Sequence, residues 1–385
     1  MTALKAPRRQ SLQFGPDALN SATLPPHYYF DPAIFAAERE NIFFKTWQYV
    51  GLREDVPKPG DYFTAEIQDQ KVFVTRGKDG RLRAFHNVCM HRGHILVEGK
   101  GSKAIFTCPF HAWSYDATGA LKAAGNAENV QGFRLEDFSL SEIRVEEFGP
   151  MVFVNLSAEG PALADMAGGL LASFKKAIPN FDDLKFVRTD RWEVAANWKF
   201  QPDGLECYHC PVIHPQIMGT DEGYVQMSWI SEEDTYWQVH IIKGNYDLMD
   251  HHKDKLLYDM GNQEIRDVYV WYLWPNLIFV THQGPSNLKI LHSQSLGPER
   301  SRRDIINLCL NNPPTATDLG HMDNYAFGVF PQDKEAMEKQ QLGVKCRGYR
   351  GGRLMVDAEH SWRSEHGTHH FDNLVWVALN GARYG

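Results

Sequence analysis

The sequence lacks long apolar runs and an excess of basic residues, and we expect no export segment. No stretch approaches the ~20 apolar residues of a membrane-spanning helix, and no apolar segment follows the basic N-terminal stretch MTALKAPRRQSLQF. The net charge of −8 argues against nucleic acid as a partner, because binding to phosphates requires a basic surface. We therefore expect a cytoplasmic protein that binds neither membranes nor nucleic acid.

Cysteine is sparse as well, with six in 385 residues. In a reducing compartment such cysteines are more often metal ligands or buried thiols than disulfide partners. Glycine-rich segments such as YRGGR (349–353) lack the strand-to-helix setting of a nucleotide-binding loop. We therefore predict no NAD(P)H site in this chain.

The length and the strand and helix patterns predict two domains behind a short leading segment. Residues 1–44 include a helix that begins after Asp31, an N-cap followed by proline, and we expect them to pack on the second domain. Short strands punctuated by Gly and Pro predict an antiparallel β domain over residues 45–157. Aromatic strands and a helix over residues 330–343 make residues 158–385 an α+β domain.

A cysteine and a histidine recur together in two places within the β domain. Cys89 and His91 form a C-x-H pair, and after sixteen intervening residues Cys108 and His111 form a C-x-x-H pair. A structural zinc site with two Cys and two His ligands is one interpretation, but zinc fingers pair Cys with Cys and His with His. A Rieske [2Fe–2S] centre uses two Cys on one iron and two His on the other. The mixed pairs favour the Rieske centre.

A second group of metal-binding residue types lies in the segment NWKFQPDGLECYHCPVIH, residues 197–214. His209 and His214 follow Glu206, and the spacing places both rings on one face only if the helix kinks or ends between them. Pro211 supplies such a break, because proline cannot donate to the helix hydrogen bonds. Two imidazoles and a distant carboxylate form the triad that binds mononuclear Fe(II). The alternative is a pair of histidines packed near a kinked helix.

These motifs resemble those of the oxygenase (α) subunits of Rieske non-haem iron oxygenases, and the likeness covers nearly the whole chain. The sequence around Cys89 is similar to the family's C-x-H-R-G, and that around Cys108 to C-P-[YF]-H-x-W-x-Y, with Ala112 where glycine is more usual. Respiratory Rieske proteins carry an extra cysteine in each loop, where this chain has His94 and Phe110. The resemblance implies an N-terminal all-β Rieske domain and a C-terminal helix-grip domain, in which a long helix covers an antiparallel sheet.

The resemblance also implies the ligands of a mononuclear iron. His209 and His214 match the family's iron-binding histidines, and Asp333 matches the carboxylate of a late helix in the segment PQDKEAMEKQQ. Glu335 is the nearest competing acid. The alternative for Asp333 is a solvated acid near a helix N-terminus, where the helix dipole favours negative charge.

Glu206 matches the family's bridging carboxylate. In that role it would link His209 of one subunit to the Rieske histidine His111 of a neighbouring subunit, a contact that exists only in a ring-shaped oligomer, so we expect a homotrimer. A Glu206 that only caps or pairs locally is the alternative. The resemblance further implies an NAD(P)H-dependent reductase with flavin and iron–sulfur groups as the electron donor, and O₂ and a small molecule as substrates.

The motif E-C-Y-H-C-P-x-x-H-P is similar to that of the branch of the family with choline, carnitine, glycine betaine and stachydrine oxygenases. It implies hydroxylation of an N-methyl group of a quaternary ammonium compound, followed by demethylation. Aromatic faces hold such a cation by cation–π attraction. The candidates are Tyr208, Trp229, Tyr236, Trp237, Tyr269, Trp271, Tyr272, Trp274 and Phe279. The alternatives are a mono- or dioxygenase of an aromatic acid, and a protein that only transfers electrons.

Overall fold

The computed structural model describes residues 13–203, 205–206, 209–215, 225–233 and 235–381, with the backbone alone for Asp203, Lys255 and residues 225–233. The chain divides into two compact units. The small unit is Arg39–Leu171, and the large unit comprises the described residues up to Glu38 and from Ala172 onward. The predicted boundaries at 44/45 and 157/158 stay predictions, and the strands of the small unit lie between Gln48 and Asn155.

The small unit consists of two antiparallel sheets. The larger sheet has the order β1-β10-β9-β4-β3-β2-β5, and the smaller sheet has the order β6-β7-β8. The strands are β1 (Gln48–Leu52), β2 (Asp61–Ile67), β3 (Gln70–Arg76), β4 (Leu82–His86), β5 (Lys100–Ser102), β6 (Ile105–Thr107), β7 (Ser114–Asp116), β8 (Leu121–Ala123), β9 (Glu142–Phe148) and β10 (Met151–Asn155). The predicted all-β fold of this part of the chain is confirmed.

A core of aromatic side chains joins the strands of the small unit to its loops. Phe73 on β3, Phe85 on β4 and Phe106 on β6 are almost fully buried. They belong to one hydrophobic cluster with Cys89 and Cys108. Apolar packing of this kind holds the two loops that carry the cysteines against the sheets.

The large unit is built on one antiparallel sheet of seven strands, in the order β11-β17-β16-β15-β14-β13-β12. The strands are β11 (Lys185–Val194), β12 (Val225–Glu233), β13 (Trp237–Gly244), β14 (Val268–Leu273), β15 (Leu277–Thr281), β16 (Asn287–Gly297) and β17 (Arg300–Cys309). Together with the helices of this unit, the sheet confirms the predicted α+β class.

The described α-helices are α1 (Pro32–Glu38), α2 (Leu163–Met166), α3 (Leu170–Ala177), α4 (Phe200–Asp203), α5 (Cys210–Ile213), α6 (Tyr246–His251), α7 (Ala316–Asp323), α8 (Phe330–Val344) and α9 (His366–Asn380). Asp31 caps α1 as expected, since its Oδ1 accepts from the backbone N–H of Ala33 at 2.8 Å. None of the described helices combines the length and the apolar composition that crossing a membrane requires.

The helix predicted over residues 330–343 continues a longer helical run. A π-helical segment, Asn324–Val329, joins α7 to α8, so the run extends from Ala316 to Val344. Pro331 lacks the N–H that an uninterrupted α-helix would use, and it lies directly after the π-helical segment, in the first turn of α8. Asp333 therefore does not lie at a free helix N-terminus.

The second long helix, α9, was not expected from the sequence. It buries His369, which is 7% exposed and whose Nε2–H donates to the backbone oxygen of Gly15 at 2.8 Å. Buried polar residues such as Thr368 and Asp372 interrupt the apolar periodicity that would otherwise reveal this helix.

Candidate metal centres

The two loops of the small unit that carry the Cys and His pairs have the same backbone hydrogen bonds. The N–H of Cys89 donates to the oxygen of His94, and the N–H of Gly93 donates to the oxygen of Cys89. In the second loop Cys108 and Ala112 repeat this pattern, with Trp113 in the place of His94. Each loop is thus a closed turn that starts at its cysteine.

The conformation of these turns explains why glycine is usual at position 112. Gly93 has φ +75° and Ala112 has φ +58°, the left-handed region that favours glycine. Ala112 adopts the same backbone conformation at a steric cost, so the turn and its ligand directions are kept. The substitution noticed in the sequence therefore alters strain rather than shape.

The four predicted cluster residues lie together. Cys89 and Cys108 are buried, and their thiols are close enough to interact electrostatically. The rings of His91 and His111 are 4.7 Å apart between centroids, and both side chains are exposed. This set offers two sulfurs on the protein side and two ring nitrogens on the solvent side, which fits a [2Fe–2S] cluster with Cys₂ on one iron and His₂ on the other.

Aromatic side chains fix the orientation of these ligands. Trp113 stacks on the ring of His91 at 4.8 Å with an interplanar angle of 8°. The hydroxyl of Tyr115 lies 3.4 Å from Sγ of Cys89 and accepts from the N–H of Met90 at 3.0 Å. Hydrogen bonds near ligand sulfurs tune the potential of such centres.

In the large unit the helix beside His209 and His214 is shorter than expected. The prediction of a helix that Pro211 breaks is wrong, because α5 is a single turn that begins at Cys210 with Pro211 in its first turn. Proline is tolerated there, since the first N–H groups of a helix lack intrahelical partners. His209 and His214 flank this turn as its two caps.

Asp333 on α8 lies against both histidines. Its Oδ1 is 2.8 Å from Nε2 of His214 and 3.8 Å from Nε2 of His209, although His214 and Asp333 are 119 residues apart in the sequence. One ligand atom from each of the three residues lies within 4.8 Å of the other two. Two imidazoles and a carboxylate in this arrangement fit a mononuclear iron site with open positions.

The second nitrogen of each ring already has a partner. Nδ1 of His209 is 2.7 Å from Oε1 of Glu206, and Nδ1 of His214 is 2.7 Å from Oε1 of Gln332. Because both partners are oxygen acceptors, each Nδ1 carries the hydrogen and each Nε2 presents its lone pair beside Asp333. This is the outer-shell arrangement that metal-binding histidines normally have, and Gln332 is a member of it that the sequence analysis missed.

The other acidic and amide residues of α8 have different contacts. Glu335 is exposed and pairs with Lys339. Glu338 accepts from the backbone N–H of Ala195 at 2.9 Å, and Gln341 accepts from that of Asn197 at 2.8 Å. Glu338 and Gln341 therefore anchor the segment before α4, and Glu335 is not near the histidines.

A cavity of about 300 Å³ lies beside the triad of His209, His214 and Asp333. Its walls are mostly apolar and come from β13 to β16 and the helical run: Ile242, Val268, Val270, Ile278, Val280, Leu291, Val329 and Met337. Its size is at the lower end of the ~300–1,000 Å³ typical of ligand sites. The arrangement suits a small molecule with one end close to the triad.

Those of the aromatic candidates whose side chains the structure describes do not line this cavity. Of those whose side chains are described, Trp271 contacts Phe174 on the opposite face of the sheet, and Tyr272 packs against Phe371. Strand alternation explains the error, because Val268 and Val270 line the cavity whereas Tyr269 and Trp271 point the other way. Tyr208 and the side chain of Trp229 lie outside the described residues. The described aromatic residues of the cavity are Phe200, Tyr325 and Phe330.

A buried polar group backs the cavity behind His282. Nζ of Lys289 lies 3.2 Å from Nδ1 of His282 and 2.8 Å from Nδ1 of His321. Burial lowers the pKa of both histidines, so they are neutral acceptors, and burial lowers the pKa of Lys289 to about 7. No sequence pattern indicated this group.

Comparisons with known proteins give a family for each of the two parts of the chain. Residues 46–134 match the Rieske [2Fe-2S] domain family, and residues 181–379 match the family described as the ring hydroxylating alpha subunit (catalytic domain). The carnitine monooxygenase oxygenase subunit of Escherichia coli (strain K12) is 34% identical over 358 residues, covering 92% of each chain. The chloroplastic choline monooxygenase of Beta vulgaris is 28% identical over 360 residues, covering 91% of this chain and 76% of that protein.

A solved structure shows the same fold. The crystal structure of a quaternary ammonium Rieske monooxygenase in complex with its substrate L-carnitine has a TM-score of 0.82 and 29% sequence identity, covering 95% of this chain and 97% of that chain. The cofactors of the present protein are therefore a Rieske [2Fe–2S] cluster and a mononuclear iron. The resemblance inferred from the sequence is confirmed: the chain belongs to the Rieske non-haem iron oxygenases, as an oxygenase (α) subunit.

Proposed function

We propose that this oxygenase hydroxylates an N-methyl group of a small quaternary ammonium compound and so removes it. The observation that carries the proposal is the small apolar cavity with His209, His214 and Asp333 in its wall. Relatives named for carnitine and choline support the substrate class. An apolar wall also suits trimethylammonium groups, whose surface consists of methyl groups and offers no hydrogen-bond donor.

In this proposal Cys89 and Cys108 hold one iron of the cluster, His91 and His111 hold the other, and His209, His214 and Asp333 hold the mononuclear iron. When bound, the cluster would supply electrons one at a time, and the mononuclear iron would supply open positions for O₂. Glu206 and Gln332 keep the two histidine rings in the ligating tautomer by accepting from Nδ1. The apolar walls exclude water from the reacting methyl group.

The overall reaction balances with one O₂, two electrons and two protons. One oxygen atom enters a C–H bond of the N-methyl group, and the other leaves as water. The resulting N-hydroxymethyl cation breaks its C–N bond, the amine nitrogen keeps the electron pair, and formaldehyde and one proton depart. The sequence predicts no NAD(P)H site in this chain, so in the proposal the two electrons come from an NAD(P)H-dependent reductase with flavin and iron–sulfur groups.

The proposal includes a homotrimer in the cytoplasm, where NAD(P)H is available. Glu206 has one contact that fits a bridging role, since its Oε1 accepts from Nδ1 of His209. We propose that it also reaches His111 of the neighbouring subunit, whose exposed side chain is available for such a contact. A structure described in terms of inter-subunit electron transfer in a quaternary ammonium Rieske monooxygenase supports this arrangement by analogy.

The test is coupled O₂ uptake by the full-length holoenzyme with a matched reductase and NADH. One pool of quaternary ammonium compounds and one pool of aromatic acids would be compared, with hydrogen peroxide measured to identify uncoupled turnover. We expect uptake with the first pool and formaldehyde equal to the O₂ consumed. Coupled uptake with aromatic acids alone would replace the N-demethylase by an aromatic-acid oxygenase that uses the same metal sites.

A further inference from the structure

Arg303 places a buried positive charge in the wall of the cavity. It lies on β17, its side chain is 2% exposed, and it lines the same cavity as His209, His214 and Asp333. Arginine is almost never fully buried without a partner, because removing its charge from water is costly. The burial of this charge therefore requires groups around the guanidinium that compensate it.

The described residues around Arg303 supply little compensating charge. Its Nε–H donates to Oε1 of Gln201, which also accepts from Oγ of Ser293, while Nε2 of Gln201 donates to Ser301. Gln201 is neutral, so it offers no compensating charge. Among the described residues no other hydrogen bond or ion pair involves the guanidinium, whose remaining N–H groups can bind a carboxylate at two points.

The acidic groups of the cavity do not neutralise the charge of Arg303. Asp333 and Tyr325 are the groups whose charge would favour the guanidinium. Burial raises the pKa of Tyr325, so its hydroxyl stays neutral. Asp333 lies against His214, and its negative charge would be taken up by the proposed metal. Glu206 is engaged with His209. The face of Phe330, 5.5 Å from the guanidinium carbon, adds attraction but no negative charge.

We propose that Arg303 binds a carboxylate of the substrate, so that the enzyme acts on zwitterions carrying both a quaternary ammonium group and a carboxylate, rather than on quaternary ammonium alcohols. The carboxylate lies at Arg303 and the N-methyl end lies by the triad. This inference rests on the proposed function for the ammonium group but not for the carboxylate. It also accounts for a buried positive charge that strand alternation turns into a mostly apolar wall.

The control residue is Arg302, the neighbour of Arg303 on β17. Alternation turns it to the other side of the strand, where it contacts Gln294 and Asp304. Arg302→Met therefore removes a positive charge from the same strand without touching the cavity. Arg303→Met keeps the length and apolar stem of the side chain but removes its charge, and Arg303→Lys keeps the charge without the planar fork.

The experiment is calorimetric titration of the full-length holoenzyme without reductase. The ligands are trimethylammonium carboxylates with one to three methylene groups, each paired with its methyl ester, together with choline, benzoate and benzamide. We expect one carboxylate to bind at least ~10-fold more tightly than its ester, in line with a charge-assisted hydrogen bond. Arg303→Met should abolish that preference, Arg303→Lys should keep part of it, and Arg302→Met should keep all of it.

Two outcomes overturn the inference: esters or choline that bind as tightly as the carboxylates, or a carboxylate preference that survives Arg303→Met. The comparison of acid with ester in the unaltered protein decides the matter if a variant does not fold. If no ammonium compound binds but benzoate binds more tightly than benzamide through Arg303, the carboxylate site stands and the N-demethylase proposal fails. If choline binds and is demethylated without such a preference, the reverse holds.

Discussion

In the small unit the buried polar side chains are uncharged, whereas the large unit buries lysine, arginine and acidic side chains. The buried polar residues of Arg39–Leu171, all of which the structure describes, are Gln48, Thr75, Asn87 and Asn155. In the described part of the large unit they include Glu38, Lys199, Lys289, Arg303 and Asp304. The difference follows from the different sites that the two units have to position.

The small unit builds its candidate cluster site from two nearby loops. Their own backbone hydrogen bonds and one buried amide are sufficient, since Oδ1 of Asn87 accepts from Leu96 and Val97 and its Nδ2–H donates to Val97. The large unit must bring together α5 and α8 around a cavity for a substrate. It does so with side-chain contacts over long sequence separations, and some of the groups involved carry charge that burial makes costly.

The largest expected effect tests whether the two candidate metal sites are independent. Asp333→Ala removes the only described carboxylate that lies against both histidines, so we expect loss of the mononuclear iron and a fall in coupled O₂ uptake of roughly 100-fold or more. Total iron should fall by about a third, while the visible spectrum of the cluster remains. Iron analysis and absorption spectra measure both.

Glu335→Ala is the matched control for that variant, since Glu335 lies on the same helix and pairs only with exposed Lys339. It should keep all the iron. Full iron content in Asp333→Ala would move the ligand to another acid.

A smaller effect is expected for the proposed link between sites of neighbouring subunits. Glu206→Gln keeps an oxygen acceptor for Nδ1 of His209 but removes the charge, so both metals should remain while electron transfer slows by about 10- to 100-fold. The measurement is the rate at which the pre-reduced cluster is reoxidised by O₂ with substrate present. Gln332→Leu, which removes the partner of His214, should instead weaken iron binding. An unchanged reoxidation rate in Glu206→Gln would exclude the bridging role.

The buried lysine Lys289 of the large unit should make the stability of the protein depend on pH. The pKa of Lys289 is about 7 in the fold, far below that of an unfolded lysine, and its neighbours include Arg188, Asp190 and the thiol of Cys309. Between pH 7 and about 10 the unfolded chain binds the extra proton, so stability rises with pH by up to about 1.4 kcal/mol per unit. Lys289→Met should remove this rise, measured as urea unfolding midpoints at pH 7 and pH 9.

Lys199 provides the contrast within the same unit. It is paired with buried Glu38, which also accepts from Nε1 of Trp198 at 2.9 Å. Lys199→Met leaves that carboxylate without its positively charged partner, and we expect a loss of about 3–5 kcal/mol in the free energy of unfolding at pH 7.

A Lys289→Met protein with the same pH dependence of stability as the unaltered protein would show that Lys289 stays charged in the fold.

The smallest effect concerns the small unit. Ala112→Gly relieves the left-handed backbone at this position, offset in part by the greater freedom of glycine in the unfolded chain, for a net gain of about 0.5–1 kcal/mol. Denaturant titration followed by the visible absorption of the cluster measures it. Gly93→Ala should lower the stability. A loss of stability in Ala112→Gly would show that the backbone at Ala112 is not strained.

The sequence alone determined the elements whose information is local. The C-x-H and C-x-x-H pairs sit in turns closed by their own residues, so their chemistry and the β character around them could be predicted. His209 and His214 could also be identified, because they flank a single helical turn. The fold class and the family followed from these patterns and their order.

Only the tertiary structure decided what depends on distant contacts and on which face of a strand a residue occupies. It placed Asp333 against His214, gave that ring Gln332 as a partner, and showed that Pro331 lies within a continuous helical run. It turned Tyr269 and Trp271 of β14 away from the cavity and placed Arg303 in its wall. A sequence pattern gives the period of a strand, but only the packing of the sheet fixes which of its two faces meets the substrate.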